Sequence, residues 1–461
     1  MEKQTRPSTP SLILIVALLI FGNACSSIQS SQATDSDRPP NFIIILADDL
    51  GYGDLGVYGS TLIHTPNLDR MGAEGVRLTN FYSSANVCTA ARGGLLTGRY
   101  PIRLDLVGDV ARPSNDVGLA ADEITLAEVL KFQGYHTGLV GKWHLGDKPE
   151  QSPLFHGFDE FFGLLHSNDM LPLALYRGRE SIEEPVNQRT LTQRYTAESV
   201  RFIDANREKS FFLYLSHTFP HVPLHVSDRF SGSSHAGLYG DVVEELDWSV
   251  GEILHTLRRL DLQERTLVVF MSDNGPWWEG SSGNLRDRKS TAWEGGLRVP
   301  FIAWWPGTLP AGTISDEPSM NIDLFPTFVR AAGGEVPDDR KIDGQDIFRM
   351  LRDDAVSPHE VLYLFDGDRL AAVRSGRWKL VVESRYENAM VRLNHKNSYY
   401  GDGLLFDLEQ DPSETYSFTR EFPDIVKRLN EFLQRGEEEL SPTIPKRMWS
   451  VSGRCQNRCV E

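Results

Sequence analysis

The sequence predicts an α/β protein in which helices sandwich a large, mixed, mostly parallel sheet, followed by a smaller C-terminal antiparallel sheet with one helix. Three observations lead to this prediction. Continuously apolar runs rich in β-branched residues are typical of strands buried on both faces. These runs alternate with helix-like stretches, as the connections of a parallel sheet require. Near residue 357 the pattern changes to short strands separated by tight turns.

The individual elements follow from these patterns in chain order. The strand candidates of the large sheet are 42–47, 137–140, 211–215 and 266–271. The helical stretches between them are 66–75, 125–134, 190–206 and 240–260. Later strands are predicted at 361–365, 371–374 and 378–382, and an amphipathic helix at 423–436. We therefore expect a main domain over 40–356 and a C-terminal subdomain over 357–461.

Composition limits the possible functions. With 47 basic and 64 acidic residues among 461, the formal net charge is −17, which argues against a nucleic-acid-binding protein because such proteins carry a basic face. Hydrophobic residues make up 40% of the chain, enough for a sizeable core. Four cysteines are too few for a disulfide scaffold. An anionic ligand would need a site where positive charge is locally concentrated.

Residues 1–24 have the features of an export signal. A basic start precedes an apolar run at 12–21 that is too short to span a bilayer. The segment leads to Cys25, in a context that resembles the lipidation site of bacterial lipoproteins. We therefore expect an exported protein, in the periplasm or at the outer-membrane or cell surface, with a lipid anchor on Cys25. Ordinary cleavage that leaves Cys25 unmodified is the alternative, and the polar stretch 25–39 is expected to be a flexible linker.

Polar residues follow four of the strand candidates. They are Asp48 and Asp49, Lys142 and His144, His217 and His221, and Asp273 and Asn274. Each pair alone is also compatible with a turn, a helix cap or a core histidine. Ligands of open α/β sheets bind beyond the carboxyl ends of the strands, so four polar clusters in equivalent places predict a functional site. The aspartates and the asparagine offer hard oxygen ligands that suit Ca²⁺ or Mg²⁺, whereas cationic neighbours favour an anion.

The stretch 86–100 is the most informative part of the sequence. A short helix is predicted over 89–96, with Cys88 near its start and Arg92 one turn further on the same face. A helix N-terminus favours anions through its free N–H groups and its dipole. On these grounds alone, a buried inert cysteine and an ordinary thiol nucleophile remain alternatives for Cys88.

At this stretch the chain resembles the type I sulfatases of the alkaline phosphatase superfamily. Their signature is Cys-x-(Pro or Ala)-x-Arg followed by Gly-x-x-Thr-Gly-Arg, and residues 88–99 contain both parts, with Ala90 in place of the commoner proline. The resemblance runs from residue 40 to about residue 433. It includes ADDLGYGD at 47–54, GKWHLG at 141–146, SDNG at 272–275 and EGGLRVP at 294–300. It implies an alkaline phosphatase-like fold for the catalytic domain.

The resemblance implies sulfate ester hydrolysis by covalent catalysis. In such enzymes a maturation enzyme oxidises the signature cysteine, here Cys88, to formylglycine, whose hydrate carries two hydroxyls. One hydroxyl attacks sulfur, and the second lets the sulfated intermediate collapse to the aldehyde and expel sulfate. Asp48, Asp49, Asp273 and Asn274 are implied to hold Ca²⁺, with Mg²⁺ as the alternative, which helps ionise the nucleophile and acts as a Lewis acid.

Further roles are implied for side chains around this centre. Arg92 and His144 are implied to orient and polarise the hydrated aldehyde. Lys142 and Lys289 are implied to neutralise sulfate oxygens as charge shifts in the transition state. Ser167 matches a serine that lines the site in some relatives.

Two of the implied assignments have competitors nearby. His221 is implied to bind sulfate and to protonate the leaving alcohol as general acid. We prefer it to His217 because the family pattern of His, one residue and Pro fits His221. Lys289 has the family spacing before the EGG motif, although Arg286 and Arg288 are close in sequence.

The tail carries a smaller set of expectations. By resemblance, the C-terminal subdomain walls one side of the substrate cleft. Cys455 and Cys459 lie near the chain end, where a local disulfide is expected in an exported protein and a metal-binding pair is the alternative.

The sulfate-binding residues do not specify the alcohol of the substrate. Export favours an external polymer, so we expect an exo-type sulfatase acting on a sulfated polysaccharide or its oligosaccharides. The aromatic loop residues are candidates either for stacking on sugar or aryl rings or for packing the loops. They are Trp277, Trp278, Tyr399 and Tyr400. The alternatives are a general arylsulfatase, a phosphodiesterase or phosphonate hydrolase on the same fold, and a non-catalytic glycan-binding lipoprotein.

Overall fold

The computed structural model describes residues 38–440 except Gly108, Ser114 and 385–397. The predicted export signal and most of the linker lie outside the described residues, as do Cys25, Cys455 and Cys459. The side chains of Tyr399 and Tyr400 are also outside the description. Within the described residues, no helix combines the length and apolar character that crossing a membrane requires.

The described strands form one large sheet and two smaller ones. In chain order they are β1 (Asn41–Ala47), β2 (Val76–Leu78), β3 (Phe81–Tyr82), β4 (His136–Lys142), β5 (Glu160–Leu164), β6 (Leu175–Arg177), β7 (Glu180–Glu183), β8 (Phe211–Ser216), β9 (Thr266–Ser272), β10 (Phe301–Trp304), β11 (Thr313–Ser315), β12 (Ser319–Met320), β13 (Leu362–Asp366), β14 (Arg369–Ser375), β15 (Trp378–Ser384) and β16 (Ser398–Asp407).

The α-helices cover both faces of the large sheet. In chain order they are α1 (Pro66–Glu74), α2 (Cys88–Thr97), α3 (Leu126–Phe132), α4 (Leu191–Ala205), α5 (Gly237–Arg259), α6 (Glu294–Leu297), α7 (Leu324–Ala331), α8 (Phe348–Asp353) and α9 (Pro423–Leu440). Side chains of α1, α4 and α5 belong to the hydrophobic core on one face. Side chains of α2, α3, α7 and α8 belong to the core on the other face.

The large sheet has ten strands in the order β11-β2-β10-β9-β1-β8-β4-β5-β6-β7. Its centre, β9-β1-β8-β4-β5, is parallel. Strand β10 runs antiparallel to both of its neighbours, and β6 and β7 add antiparallel pairs at the other end. The predicted mixed, mostly parallel sheet between helices is therefore confirmed.

The central strand β1 shows why its sequence is apolar without alternation. Phe42 and Ile44 enter the core on one face, while Ile43 and Ile45 enter the core on the other. All four side chains are fully buried. A strand covered on both sides needs apolar residues at every position, which is the pattern that predicted it.

The C-terminal sheet is an antiparallel meander, β13-β14-β15-β16. The predicted small antiparallel sheet with one helix is thus confirmed, and α9 packs on β14 through a core shared with the main domain. Strand β16 lacked a continuous apolar signal and was not predicted. Nor were the short strands β2, β10 and β11, which complete one side of the large sheet.

Candidate active site

The polar residues that end β1, β4, β8 and β9 meet at one edge of the large sheet. Strand β1 pairs in parallel with both β8 and β9, and β4 pairs in parallel with β8. The carboxyl ends of parallel neighbours lie side by side, so the four predicted clusters converge there. Helix α2 adds Cys88 and Arg92 to the same place, as the contacts below show.

Cys88 lies at the centre of this group. It is the first residue of α2 and is buried. Its Sγ is 3.2 Å from Lys289 Nζ and 3.8 Å from Asp49 Oδ1. Burial raises the pKa of the Cys88 thiol well above its ordinary value, although Lys142 and Lys289 act in the opposite direction. Burial thus disfavours the thiolate form of Cys88.

The acidic residues form a compact set of oxygen donors beside Cys88. Atoms of Asp48, Asp49, Asp273 and Cys88 that could ligate a metal ion lie within 4.8 Å of one another. Asn274 Oδ1 is buried and has no hydrogen-bond partner within the described part of the chain, and Asp48 Oδ1 is buried with only an ion-pair contact to Arg92 Nη2 at 3.3 Å. Buried oxygens of this kind normally have partners, and hard oxygen donors suit Ca²⁺ or Mg²⁺. The residues present therefore fit a divalent ion.

Arg92 holds two of these carboxylates and a strand end together. Its Nε and Nη2 donate to Asp273 Oδ2 at 3.1 and 2.8 Å, and Nη2 is 3.3 Å from Asp48 Oδ1. Nη1 donates to Ser216 Oγ at 2.6 Å and to the Lys142 carbonyl at 3.1 Å. The side chain is fully buried, and its planar guanidinium makes all of these contacts simultaneously.

The two lysines sit on different sides of the carboxylates. Lys142 Nζ donates to Asp48 Oδ2 at 2.5 Å and to Ser167 Oγ at 3.1 Å. Lys289 Nζ donates to Asp49 Oδ2 at 2.8 Å. Burial opposes the charge on Asp48, but Lys142 and Arg92 outweigh it and lower the pKa of Asp48 to about 2. Burial likewise opposes the charge on Asp49, but Lys289 and His221 together outweigh it and lower the pKa of Asp49.

His144 is close enough to Lys142 and Arg92 for their charges to affect its ring, which makes no hydrogen bond within the described residues. Its N–H donates to the Leu165 carbonyl at 2.9 Å, which fixes its backbone, and the residue is 1% exposed. Neither ring nitrogen has a hydrogen-bond partner among the described residues. Burial, together with Lys142 and Arg92, holds the pKa of His144 well below its ordinary value.

The structure separates the two histidines that follow β8. His221 Nε2 is 3.7 Å from Asp49 Oδ2, and its Nδ1 is 2.6 Å from the Val222 carbonyl. His217 instead contacts Ser249 Oγ at 3.3 Å, and burial lowers its pKa to about 3. Of the two, His221 is the one beside the carboxylates, whereas His217 is a core residue.

The two arginines close to Lys289 in sequence, Arg286 and Arg288, contact tryptophan rings. The Arg286 guanidinium lies 3.6 Å from the centre of the Trp293 ring. The Arg288 guanidinium stacks on Trp278 at 4.2 Å. Lys289 is therefore the one of the three whose contacts with Cys88 and Asp49 place it at the centre.

Two residues of this site were not predicted. Ser216 accepts from Arg92 and donates to the Lys142 carbonyl at 2.7 Å, so it joins α2 to β4. Asn168 Oδ1 is 3.2 Å from His221 Nδ1. Ser216 is the last residue of β8, directly after the apolar run 211–215, and Asn168 directly follows Ser167. Neither residue belongs to a motif of its own, so the sequence did not single them out.

Comparison with known proteins identifies the family. The sulfatase family model matches residues 40–334, and the model of the C-terminal region of aryl-sulfatase matches 357–460. The chain belongs to the sulfatase family. It is a sulfuric ester hydrolase, as the sequence motifs predicted. Sulfatases generally use formylglycine and a divalent metal ion.

The similarity to individual sulfatases extends over most of the chain. Human N-acetylgalactosamine-6-sulfatase is 36% identical over 463 residues, covering 90% of this chain and 88% of that protein. Bovine arylsulfatase A is 37% identical over 423 residues, covering 82% and 83%. Among solved structures, the PsFucS1 sulfatase from Pseudoalteromonas sp. is 29% identical with a TM-score of 0.81, covering 88% of this chain and 91% of that chain. The structure of Ps i-CgsB in complex with k-i-k-neocarrahexaose is 27% identical with a TM-score of 0.77, covering 89% of this chain and 95% of that chain.

Proposed function

We propose that this protein is an exported sulfatase that removes sulfate from a sulfated polysaccharide or its oligosaccharides. Its nucleophile is formylglycine made from Cys88 by a maturation enzyme, and its metal ion is Ca²⁺. The observation that carries the proposal is the convergence of a lysine and a carboxylate on one buried atom. Lys289 Nζ and Asp49 Oδ1 lie 3.2 and 3.8 Å from Cys88 Sγ.

Four residues would hold the metal ion: Asp48, Asp49, Asp273 and Asn274. The ion would act as a Lewis acid on sulfate oxygen and lower the pKa of the nucleophile. The hydrated aldehyde at position 88 would supply the attacking hydroxyl and a second hydroxyl through which sulfate is released. Calcium is preferred to magnesium because three carboxylates and an amide converge there, whereas Mg²⁺ usually binds only one or two carboxylates and keeps several waters.

Arg92 and His144 are assigned to orienting the group at position 88. Arg92 fixes Asp273 and the end of β4 through its buried guanidinium. The ring nitrogens of His144 are uncommitted within the described residues, so they are free to hydrogen-bond a hydroxyl at position 88. The Arg92 side chain is held by hydrogen bonds before substrate binds, and the His144 ring is confined by burial, which lowers the cost of orientation during the reaction.

Lys142 and Lys289 are assigned to the sulfate oxygens. Each already lies beside a carboxylate, and Ser167 accepts a further hydrogen bond from Lys142. An ammonium has three donor hydrogens and each lysine uses two of them here, so each retains one donor for an anion. Preorganised cations stabilise the negative charge that moves onto sulfate and the leaving oxygen in the transition state.

His221 is assigned as the general acid for the leaving alcohol. The Val222 carbonyl and Asn168 Oδ1 lie at 2.6 and 3.2 Å from its Nδ1. These contacts set the ring orientation and leave Nε2 as the nitrogen on the side of Asp49. A protonated imidazole there can pass its Nε2 proton to the alcohol oxygen as the sulfur–oxygen bond breaks.

A sulfated glycan is the substrate class that we favour. One relative is named for a sulfated sugar, N-acetylgalactosamine-6-sulfatase, and Ps i-CgsB was solved in complex with k-i-k-neocarrahexaose. Both match this chain over most of their length. Asp147, His166 and Tyr176 are among the residues that line a cavity of about 180 Å³. Leu165 also lines this cavity, and its carbonyl accepts the His144 N–H. Paired polar groups beside an aromatic ring suit a sugar ring and its hydroxyls. General arylsulfatase activity is the competing function, supported by the similarity to arylsulfatase A.

The proposed export rests on residues 1–24, with Cys25 as the lipid attachment point and the periplasm or the cell surface as the destination. The proposed catalytic domain is 40–356 and the C-terminal subdomain is 357–461. Fractionation of the native host, with a Cys25→Ala variant as the matched control, tests the anchor. Loss of membrane association in the variant supports it, and unchanged fractionation contradicts it.

The catalytic proposal is tested with protein purified from its native host. Mass spectrometry of the peptide that contains Cys88 should show an aldehyde in place of the thiol. Sulfate release is then measured on sulfated oligosaccharides, an aryl sulfate and an aryl phosphodiester, with calcium and after chelation. We expect turnover to be highest on one oligosaccharide, low on the phosphodiester, and restored by Ca²⁺ after chelation.

A Cys88→Ala variant is the control for these assays. Its sulfate release should fall to background because the nucleophile is gone. Unmodified Cys88 in the native host, or full activity of the variant, would contradict the proposal. Glycan binding without sulfate release would instead support the non-catalytic lipoprotein.

A further inference from the structure

The loop that carries Lys289 is held partly by contacts with residues outside it. Within residues 285–294, Asp287 and Ser290 adopt positive φ angles of 59° and 72°. Such conformations are costly for non-glycine residues and persist only where the surroundings fix them. The Lys289 N–H donates to the Pro276 carbonyl, and the Ser290 N–H donates to the Asn86 carbonyl. Thr291 Oγ1 donates to the Arg288 carbonyl at 2.8 Å within the loop, and the Gly295 N–H donates to the Arg286 carbonyl at 2.8 Å. The C-terminal subdomain adds further contacts, among them the hydrogen bond from the Ala292 N–H to Ser384 Oγ at 3.2 Å.

Lys379 of β15 contacts the C-terminal end of this loop. Its Nζ donates to the Ala292 carbonyl at 2.9 Å and to Glu294 Oε1 at 3.0 Å. It also lies 2.8 Å from Glu414 Oε1. The side chains of Lys379, Glu294 and Glu414, which we call the Lys379 cluster, are all fully buried.

Glu414 contacts the loop on both sides of Lys289. Its Oε2 accepts the Glu294 N–H at 2.8 Å, and its carbonyl accepts from Arg286 Nη1 at 2.8 Å. Its own φ of 52° is left-handed, so the chain is held in an unfavourable conformation at this contact. One residue of the C-terminal region thereby fixes positions three before and five after Lys289.

The cluster continues into the main domain. Tyr82 donates its hydroxyl hydrogen to Glu294 Oε2 at 2.6 Å, and Arg298 Nη1 lies 3.4 Å from the same oxygen. Ser83, the next residue, donates to the Asp273 carbonyl at 2.5 Å. A buried ionic cluster contributes little net stability but fixes a specific arrangement, and removing one member leaves the others unpaired.

We propose that Lys379 and Glu414 are positioning residues, through which the C-terminal subdomain holds Lys289 in place for sulfate. This inference rests on the proposed role of Lys289 at the sulfate group. The C-terminal subdomain then contributes to the reaction and not only to the wall of the cleft. A displacement of about 1 Å in a catalytic group can cost up to about 100-fold in rate, so the contact has a measurable consequence.

The test is a double-mutant cycle in mature enzyme with its formylglycine content measured. Lys379→Met and Lys289→Ala are made singly and together, and kcat/KM is measured with an aryl sulfate. We expect Lys379→Met to lower kcat/KM by about 10- to 100-fold in the parent and by less than about twofold when Lys289 is already alanine. A residue that acts through Lys289 has nothing left to position once Lys289 is removed.

Two further variants separate positioning from stability. Glu414→Gln keeps an acceptor for the Glu294 N–H and should retain most activity, whereas Glu414→Ala should behave as Lys379→Met does. If Lys379→Met does not fold, Glu414→Ala and Glu414→Gln replace it in the double-mutant cycle with Lys289→Ala. Leu429→Ala removes a buried side chain of α9 outside the cluster and should lower the melting temperature without changing KM or inhibition by free sulfate.

The outcomes distinguish this inference from the proposed function. If Lys289→Ala leaves kcat/KM unchanged, the assigned role of Lys289 fails and the positioning proposal fails with it. If Lys289→Ala lowers kcat/KM, but Lys379→Met lowers it by the same factor in the Lys289→Ala variant as in the parent, only the positioning proposal is overturned. Equal kinetic effects of Lys379→Met and Leu429→Ala would also overturn it, because stability alone would then explain the change.

Discussion

Replacing Arg92 with methionine should destabilise the protein far more than replacing a surface arginine that makes an equally close ion pair. Methionine keeps much of the apolar volume but loses the hydrogen bonds to Asp273, Ser216 and the Lys142 carbonyl. Because the site is fully buried, Asp273 would lose its cationic partner without gaining access to water. Removing one partner of a buried ion pair costs about 3–5 kcal/mol, and we expect this loss in the free energy of unfolding.

Arg177 provides the matched comparison. Its two terminal nitrogens lie 2.7 and 2.8 Å from the two oxygens of Glu198, but its side chain is 51% exposed. Exposed pairs contribute about 0.2–1 kcal/mol because water replaces the lost partner. Urea unfolding of both methionine variants, followed by a spectroscopic signal and extrapolated linearly, gives the two losses. Equal losses, or a loss below about 1 kcal/mol for Arg92→Met, would refute the conclusion that Arg92 is an irreplaceable buried cation.

The remaining predictions concern caps and close packing, and urea unfolding measures each one. Burial raises the pKa of Asp247, which accepts N–H groups at the start of α1, from 3.8 to about 6. Because the folded state has the higher pKa, stability should fall by about 2 kcal/mol as pH rises from 4 to 7. Asp247→Asn should abolish this fall, and an unchanged pH profile would contradict the prediction. Thr125→Ala should cost about 1 kcal/mol by removing the capping box of α3, and no change would show that the cap is dispensable. Gly141→Ala should cost at least about 3 kcal/mol, because φ is 113° and a Cβ would lie 1.8 Å from the Ser216 carbonyl oxygen. Gly178→Ala, at a φ of 60°, meets no atom within 4 Å and should cost about 1 kcal/mol. Similar losses of stability in the two variants would contradict the packing argument.

The parts of the fold that sequence could predict are those with a strong local signal. Strand β1 is apolar at every position because both of its faces are buried, and α4 has a continuous amphipathic pattern. Strand β2 has only three residues and gains its order from β10 and β11, which are distant in sequence. Such strands depend on partners that local propensity does not reveal.

The same division applies to the site. Asp48, Asp49, Asp273 and Asn274 could be placed together because parallel neighbours bring their carboxyl ends to one edge. Their roles, and those of the other predicted site residues, remain proposals. The contacts of Glu414 with Arg286 and Glu294 could not be predicted, because they join positions more than a hundred residues apart with no periodic signal at either end.

The charges at this site explain how an acidic protein can present a place for an anion. The whole chain carries a formal net charge of −17, but at the site Asp48 lies against Lys142, Asp49 against Lys289, and Asp273 against Arg92. Each buried carboxylate is therefore matched locally, and the pairs together leave little surplus charge of either sign. A sulfate ester brings a further negative charge into this buried place, which is costly unless positive charge comes with it. A divalent cation on the carboxylate oxygens would supply that charge and free the lysines to turn toward sulfate, so ion binding and sulfate binding should favour each other.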